Sequence, residues 1–388
     1  MGKHRSSGTA RRGVSRGLLV AIVAVVVLVV AGVLWAQLGD RITDQGNADA
    51  DRCVKGPQTV SVAVAPALAD PLSSIATTYN ATAPKARDHC ITVEVRPTDP
   101  KVTLDALAGN WDQASMGSFP AAWIPPSSLW SAQLASTRAG VVAGSPESLT
   151  TSPVVLAVSR EFASTAGSKV AWLDLPTLQT RDNALDALGL RGWGSLRMAV
   201  PGGPESDAGL LAAQAVAAAV SRSTTGPLSG ADVGSPRVTT TLRDLVRRAP
   251  AAPNGTISGA VKAIGSGTPA SGAVHAVATT EQGLYALTRA DPALDVAEIL
   301  PSGATPIADY PVVTLTGSHV DATAGDAVTD FVTFLRRAEQ QKTLASDGFR
   351  AAAPLPQSTA AVTFPAVDTP LAAPEAAAAA ALTRIVDR

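Results

Sequence analysis

The chain of 388 residues carries 31 basic against 32 acidic side chains and is 46% hydrophobic but only 4% aromatic. At roughly 150 residues per domain that length gives two to three domains or one large two-lobed body, and the apolar content, mainly Ala, Val and Leu, excludes wholesale disorder. Five of the basic residues (Lys3, Arg5, Arg11, Arg12 and Arg16) lie in the first sixteen positions, so removing them from a total of −1 leaves −6 for the rest. A mildly acidic body without a basic stripe excludes nucleic acid as the partner.

The basic stretch 1–16 runs into GLLVAIVAVVVLVVAGVLWA, residues 17–36, which contain no charge. At 1.5 Å rise per residue such a helix matches the roughly 30 Å hydrocarbon core of a bilayer, and a single transmembrane helix is expected. Lys and Arg before it, with Asp40 and Asp44 after it, place the N-terminus in the cytoplasm and the body outside. A cleaved signal peptide is the alternative, but its apolar region is normally shorter and no small-x-small cleavage site follows Trp35. Residues 37–51 are polar, lack apolar periodicity and read as a linker.

The folded region starts near Cys53. Cys53 and Cys90, the two cysteines of the chain, both fall on the expected outer side, where oxidising conditions let a disulfide persist; they are expected to pair, with two free buried thiols as the alternative. Valine-rich runs at 60–64, 91–95, 154–158, 196–200, 273–278 and 312–315 predict strands. Between and beyond them, 72–80, 129–137, 208–221, 242–248, 282–288 and 326–345 predict helices. Alternating strands and helices imply an α/β architecture. The Gly, Ser, Thr and Pro-rich stretches 223–237 and 265–272 read as surface loops. The segment 356–388 turns to Ala and Pro and ends in a run of high helix propensity with a weak amphipathic face, expected to be docked or frayed.

Catalytic signatures are missing: there is no GxSxG elbow, SxxK, P-loop or intact GxGxxG. Four scattered histidines without CxxC or HExxH spacing supply no metal site, and no cofactor is expected. The expected work is recognition and not catalysis.

Six local patterns, in order, carry a resemblance: Cys53 with VSVAVAP and then Cys90 before ITVEV; AAWIPPSSLW (121–130); TSPVVLAVS (151–159); VPGGPESDAGLLAA (200–213); ATTEQGLYAL (278–287); and PSGATPIADYPVVTL (301–315) followed by DFVTFLRRAEQQKTLASDGFR (330–350). Together they resemble the membrane-anchored actinobacterial extracellular solute-binding proteins, the type often fused to a von Willebrand factor A domain. No DxSxS pattern of that second domain is present, so its metal-dependent adhesion is not implied. The resemblance implies a two-lobed, type II periplasmic-binding-protein-like domain over 52–355. Lobe one would comprise about 52–152 and 310–350, and lobe two about 153–309, with crossings near Pro153 and Tyr310. It further implies a small polar or anionic solute held in the interlobe cleft and an ABC permease as a possible partner. The alternative is a cell-envelope protein-interaction module that keeps the fold without a small ligand.

In open α/β sheets ligands sit beyond the carboxyl ends of strands, where helix N-termini present free backbone NH groups. Ser127 and Ser128, Ser206 (with Asp207), Thr279 and Thr280, and Asp70 stand at such strand-to-helix junctions and are the candidate ligand-binding residues. Each is equally readable as a helix cap. Their convergence is supplied by the resemblance. Lys101 could lend positive charge or simply be solvated, Glu281 could meet an amine or open a helix on the surface, and Trp111, Trp123 and Trp130 could stack on a sugar or pack in the core.

Overall fold

The valine-rich runs build two separate sheets in a computed structural model of the chain, which describes residues 25, 27–35, 37, 53–223 and 225–386. The first lobe opens with β1 (Pro57–Val64), α1 (Ala69–Ala81), β2 (Lys85–Ala86), β3 (His89–Pro97) and α2 (Pro100–Ala108). It continues through β4 (Ala122–Ile124), α3 (Ser128–Thr137) and β5 (Glu147–Ser148). The second lobe holds β6 (Ser152–Ser159), α4 (Arg160–Ala166), β7 (Met198–Ala199), α5 (Asp207–Ser221), α6 (Gly230–Gly234), α7 (Pro236–Arg248) and α8 (Ile257–Ser266). It ends with β8 (Ala276–Thr280), α9 (Glu281–Ala290), β9 (Val296–Ile299) and β10 (Ile307–Ala308). The chain then returns to the first lobe as β11 (Pro311–Thr314), α10 (Ala322–Leu335) and α11 (Ala338–Ser346), and finishes in α12 (Ala376–Val386).

Strand order in the first sheet is β2-β3-β1-β4-β11-β5, with β1 and β4 parallel (Val62 opposite Ala122) and β11 antiparallel to β4 (Val313 opposite Trp123). In the second sheet β6 runs antiparallel to β8 (Leu156 opposite Ala278), to β9 and to β10, and β7 is parallel to β8. The sequence explains the difference between central and outer strands. Every residue of β6, SPVVLAVS, is buried because the strand is covered on both faces, whereas β3 alternates buried Ile91 and Val93 with exposed Thr92 and Glu94. Two crossings join the lobes: Thr150–Ser152 going out and Asp309–Tyr310 coming back.

Several elements depart from the sequence expectation for local reasons. The single helix expected over 326–345 is two, because Arg337 is extended (ψ 147°), its guanidinium lies 4.8 Å from the Phe334 ring centre, and Gln341 Nε2 caps the Leu335 carbonyl at 2.8 Å. Much of the stretch read as a loop at 223–237 is helical: Ser229 and Asp232 form a reciprocal capping box for α6, and Ser235 caps α7, which starts on Pro236. The run 196–200 yields only the two-residue β7. α8, diluted by two glycines, escaped the periodicity reading.

The chain divides into two compact units. One, Gln58–Arg87 with Ile91–Arg388, holds the two lobes; the other is the part up to Pro57 with Asp88–Cys90. Within the latter Cys53 and Cys90 form a disulfide, flanked by Lys55 N donating to the Asp88 carbonyl and Cys90 N to that of Gly56, both at 3.1 Å. The basic stretch 1–16, the expected membrane helix 17–36 and the linker 37–51 lie largely outside the described residues. Val25 and residues 27–35 are helical, with their side chains exposed. Among the described residues no helix is long and apolar enough to cross a membrane.

Candidate functional site

The carboxyl ends of the central strands and the starts of four helices meet around a cavity of about 710 Å³, within the usual size range for small-molecule sites. The first lobe contributes the turn after β1 (Ala65, Pro66), the first turn of α1 (Asp70, Pro71) and Pro126. The second contributes Glu205 and Asp207 at the start of α5, Ile257 and Ser258 at the start of α8, and the end of β8 with the first turns of α9. Tyr310, on the returning crossing, and Asp347, after α11, complete the wall.

Each helix start is built by its own sequence. Thr280 caps α9, its Oγ1 accepting Gly283 N at 3.0 Å, while Gln282 N donates to Ser152 Oγ at 3.0 Å. Thr256 caps α8 by accepting Gly259 N at 2.9 Å, and Ile257 N donates to Glu205 Oε2. A methyl at Gly283 would stand 3.0 Å from Thr280 Oγ1 and 3.1 Å from Thr279 Oγ1, a tight approach in which the hydroxyls would have to give way. Tyr310 is fully buried with φ +38°, a conformation rare for a bulky side chain, and its ring meets Phe349 edge-on at 5.3 Å.

The candidate residues fall into two groups. Asp70, Thr279 and Thr280 lie on the cavity wall. Ser127 and Ser128 do not: their hydroxyls are spent on carboxylates beside the crossings, where they line a separate recess of about 80 Å³. Ser127 Oγ donates to Asp207 Oδ1 at 3.0 Å, joined there by Trp130 Nε1 at 2.7 Å. Ser128 donates from its backbone N to Asp309 Oδ1 at 2.6 Å and from its hydroxyl to Oδ2. Ser206 is buried, and its Oγ has no partner among the described residues.

Of the other side chains considered, Glu281 is wholly buried and held by Arg350 through two bonds of 2.9 and 2.7 Å, so it is not available to a ligand amine. Lys101 pairs with Asp105 one turn along α2 at 2.8 Å. Trp123 and Trp130 are core residues, and Trp111 packs edge-on against Phe119.

Acidic side chains set the charge of the cavity: Asp70 and Asp207 stand at junctions expected from the sequence, whereas Glu205 and Asp347 are not expected there. Asp70, Glu205, Asp207 and Asp347 line it, against one cation, Arg289, which is 3.6 Å from Asp347 and donates to the Ser346 carbonyl at 3.1 Å. Burial pushes the Asp207 carboxyl up to about 6, helped by the nearby Asp309 charge and opposed by the Trp130 and Ser127 bonds. Burial likewise raises Asp309 against its bonds from Ser128, and raises the Tyr310 phenol, with the Asp207 charge adding to it. Glu205 precedes α5 and Asp347 follows α11, places where a carboxylate has no local pattern that separates a cavity wall from an ordinary exposed turn. Among the described residues no group of three or more His, Cys, Asp or Glu side chains is gathered to hold a metal ion.

Comparison with known proteins agrees with this architecture. Two Mycobacterium tuberculosis proteins, each described as uncharacterised and from different strains, are 36% identical over 371 residues, covering 95% of this chain and 53% of each relative. The chain thus spans about half the length of these relatives. Among solved structures, iron-bound HitA from Pseudomonas aeruginosa superposes with a TM-score of 0.59 at 17% identity, covering 86% of this chain and all of that one. A ferric binding protein from Campylobacter jejuni gives 0.55 at 12% identity over 84% of this chain and 97% of that one. A periplasmic thiamin binding protein gives 0.54 at 12% identity over 86% and 97%. At such identities these likenesses establish the two-lobed fold. The sequence profile described as bacterial extracellular solute-binding protein matches residues 60–350, spanning both lobes and their crossings. The protein belongs to the bacterial extracellular solute-binding protein family.

Proposed function

We propose that the protein is a membrane-anchored extracytoplasmic receptor that binds a small polar solute in the interlobe cavity and presents it to an ABC importer. The observation that carries this reading is the cavity itself, an open recess at the carboxyl ends of strands from both lobes, bordered by the crossings about which the lobes would move. Membership of the solute-binding family supports an extracytoplasmic body. The apolar run 17–36 between a basic N-terminus and an acidic continuation supports a single-pass anchor with the N-terminus in the cytoplasm, and the exposed apolar side chains of Val25 and residues 27–35 support burial in lipid. Domain limits of 52–355 for the binding body and 356–388 for the tail go with this reading.

Thermal-shift screening of the full chain in detergent, against amines, amino acids, sugars and oxyanions, tests it. One class is expected to raise the melting temperature, and Ala208→Trp, which fills the cavity wall, is expected to abolish the shift. A silent screen on folded protein overturns the reading.

One observation favours a second reading, an envelope-interaction module. The lobes are tied together behind the cavity by the Ser127 and Trp130 bonds to Asp207 and by α12, which packs on α3 of one lobe and on α5, α6 and α7 of the other. Such ties limit closure. Crosslinking in cells that captures an envelope protein, with no solute in the screen, is the outcome this reading expects.

A further inference from the structure

We propose that the cavity takes a small organic cation, an ammonium or guanidinium head on a largely apolar body, and that Asp207 is the carboxylate that receives it. The inference rests on the receptor reading above and narrows its ligand.

The first argument is charge. Four carboxylates face the space and one guanidinium, already committed to Asp347 and the Ser346 carbonyl, faces them. Helix N-termini pull the other way, each with roughly half a positive charge. Here, however, the chain has supplied those ends itself. Asp70 stands in the first turn of α1 and Asp207 in that of α5. Glu205 takes the Ile257 NH of α8, and Ser152 and Thr280 take the Gln282 and Gly283 NH groups of α9. An anion would therefore meet full negative charges and largely satisfied donors.

The second argument is a buried carboxylate held by neutral donors. Asp207 lines the cavity and is only 8% exposed, and its Oδ1 accepts both Ser127 Oγ and Trp130 Nε1. Both donors are neutral, so neither offsets the charge of this buried carboxylate, and a cation brought alongside would relieve the cost of burying it. The rise of this carboxyl to about 6 reports the same deficit of positive charge. Ala65, Pro66, Pro126, Ala208, Ile257 and Leu287 supply the apolar wall for the rest of the ligand.

The test is calorimetry on the full chain in detergent with three matched probe sets: butylammonium and cyclohexylammonium, the carboxylates butyrate and cyclohexanecarboxylate, and the neutral butanol and cyclohexanol. The ammonium probes are expected to bind and the carboxylates not to. Asp207→Asn, which keeps an acceptor for Ser127 and Trp130, is expected to weaken ammonium binding roughly tenfold or more. Asp70→Asn, on an exposed position, is expected to weaken it less and serves as the control against misfolding. Affinity is also expected to fall as pH drops through 6. If carboxylate or neutral probes bind instead and Ala208→Trp blocks them, the cavity is a receptor site but the cation assignment is wrong. If no probe of any set binds folded protein, the receptor reading falls with it.

Discussion

Asp207 shows how one side chain can serve two purposes that conflict. Its Oδ1 joins the lobes by accepting Ser127 and Trp130, while its burial makes the ionised form expensive. The consequence for stability has a definite sign. The folded-state value, about 6, lies above the ordinary 3.8, so the folded protein holds the proton more tightly than the unfolded chain. Stability from this group is therefore highest below about pH 4 and is lost as pH rises through 6. Asp207→Asn removes the charge and the dependence together. Relative to the native protein, the variant is expected to gain roughly 2 kcal/mol between pH 4 and pH 7, read as the difference between urea midpoints at the two pH values. A gap between variant and native protein that does not move with pH would show that Asp207 is solvated. The sequence offered Ser206–Asp207 as a helix opening; it could not show that the aspartate is met by a serine and a tryptophan about 80 positions earlier.

At the scale of elements, small residues decide how closely helices approach. α5, DAGLLAAQAVAAAVS, is apolar all round and almost wholly buried, as a helix covered on every side must be. Against it lies α12, itself mostly alanine, with Ala378, Ala379, Leu382, Ile385 and Val386 buried. Gly230 of α6 comes so near that a methyl there would stand 2.8 Å from Ala377 Cβ. Gly259, in the first turn of α8, faces the Pro253 carbonyl oxygen, with which an added methyl would collide. Gly259→Ala is accordingly expected to cost about 1–3 kcal/mol despite the better helix propensity of alanine, measured by denaturant unfolding. A neutral or stabilising result would mean that the turn 253–255 can move aside. The sequence reading predicts α5, which is apolar all round, but not α2, α4, α6 or α8; in α6 and α8 glycine and serine are signs of loops until a cap partner is known.

For the whole molecule, the tail is the least expected feature. After Arg350, Ala361 and Val362 join the core of the second lobe, Leu371 N donates to the Thr305 carbonyl at 2.7 Å, and Gln133 of α3 reaches Thr383 of α12 at 3.3 Å. The terminal helix thus bridges both lobes on the side that carries Ser127 and Ser128. Leu382→Ala, at a position with no exposure, is expected to destabilise by about 2–5 kcal/mol. Amide exchange should quicken in α3 and α5 together, because both lobes lose the same support. Faster exchange confined to one lobe would contradict the bridging role.

Read as a sequence, the chain determined its α/β class and pointed to the pairing of its two cysteines, since these depend on local periodicity and redox setting, while its two-lobed architecture was implied by the family resemblance of its ordered motifs. It also marked the junctions where strands give way to helices. Which junction residues face the cavity was decided only by tertiary structure. Ser127 and Ser128 turn to Asp207 and Asp309, respectively 80 and 181 positions away, while Asp70, Thr279 and Thr280 share a wall with Glu205 and Tyr310. A cap and a ligand contact use the same residue types at the same local spacing, and only the packing of one lobe on the other separates them.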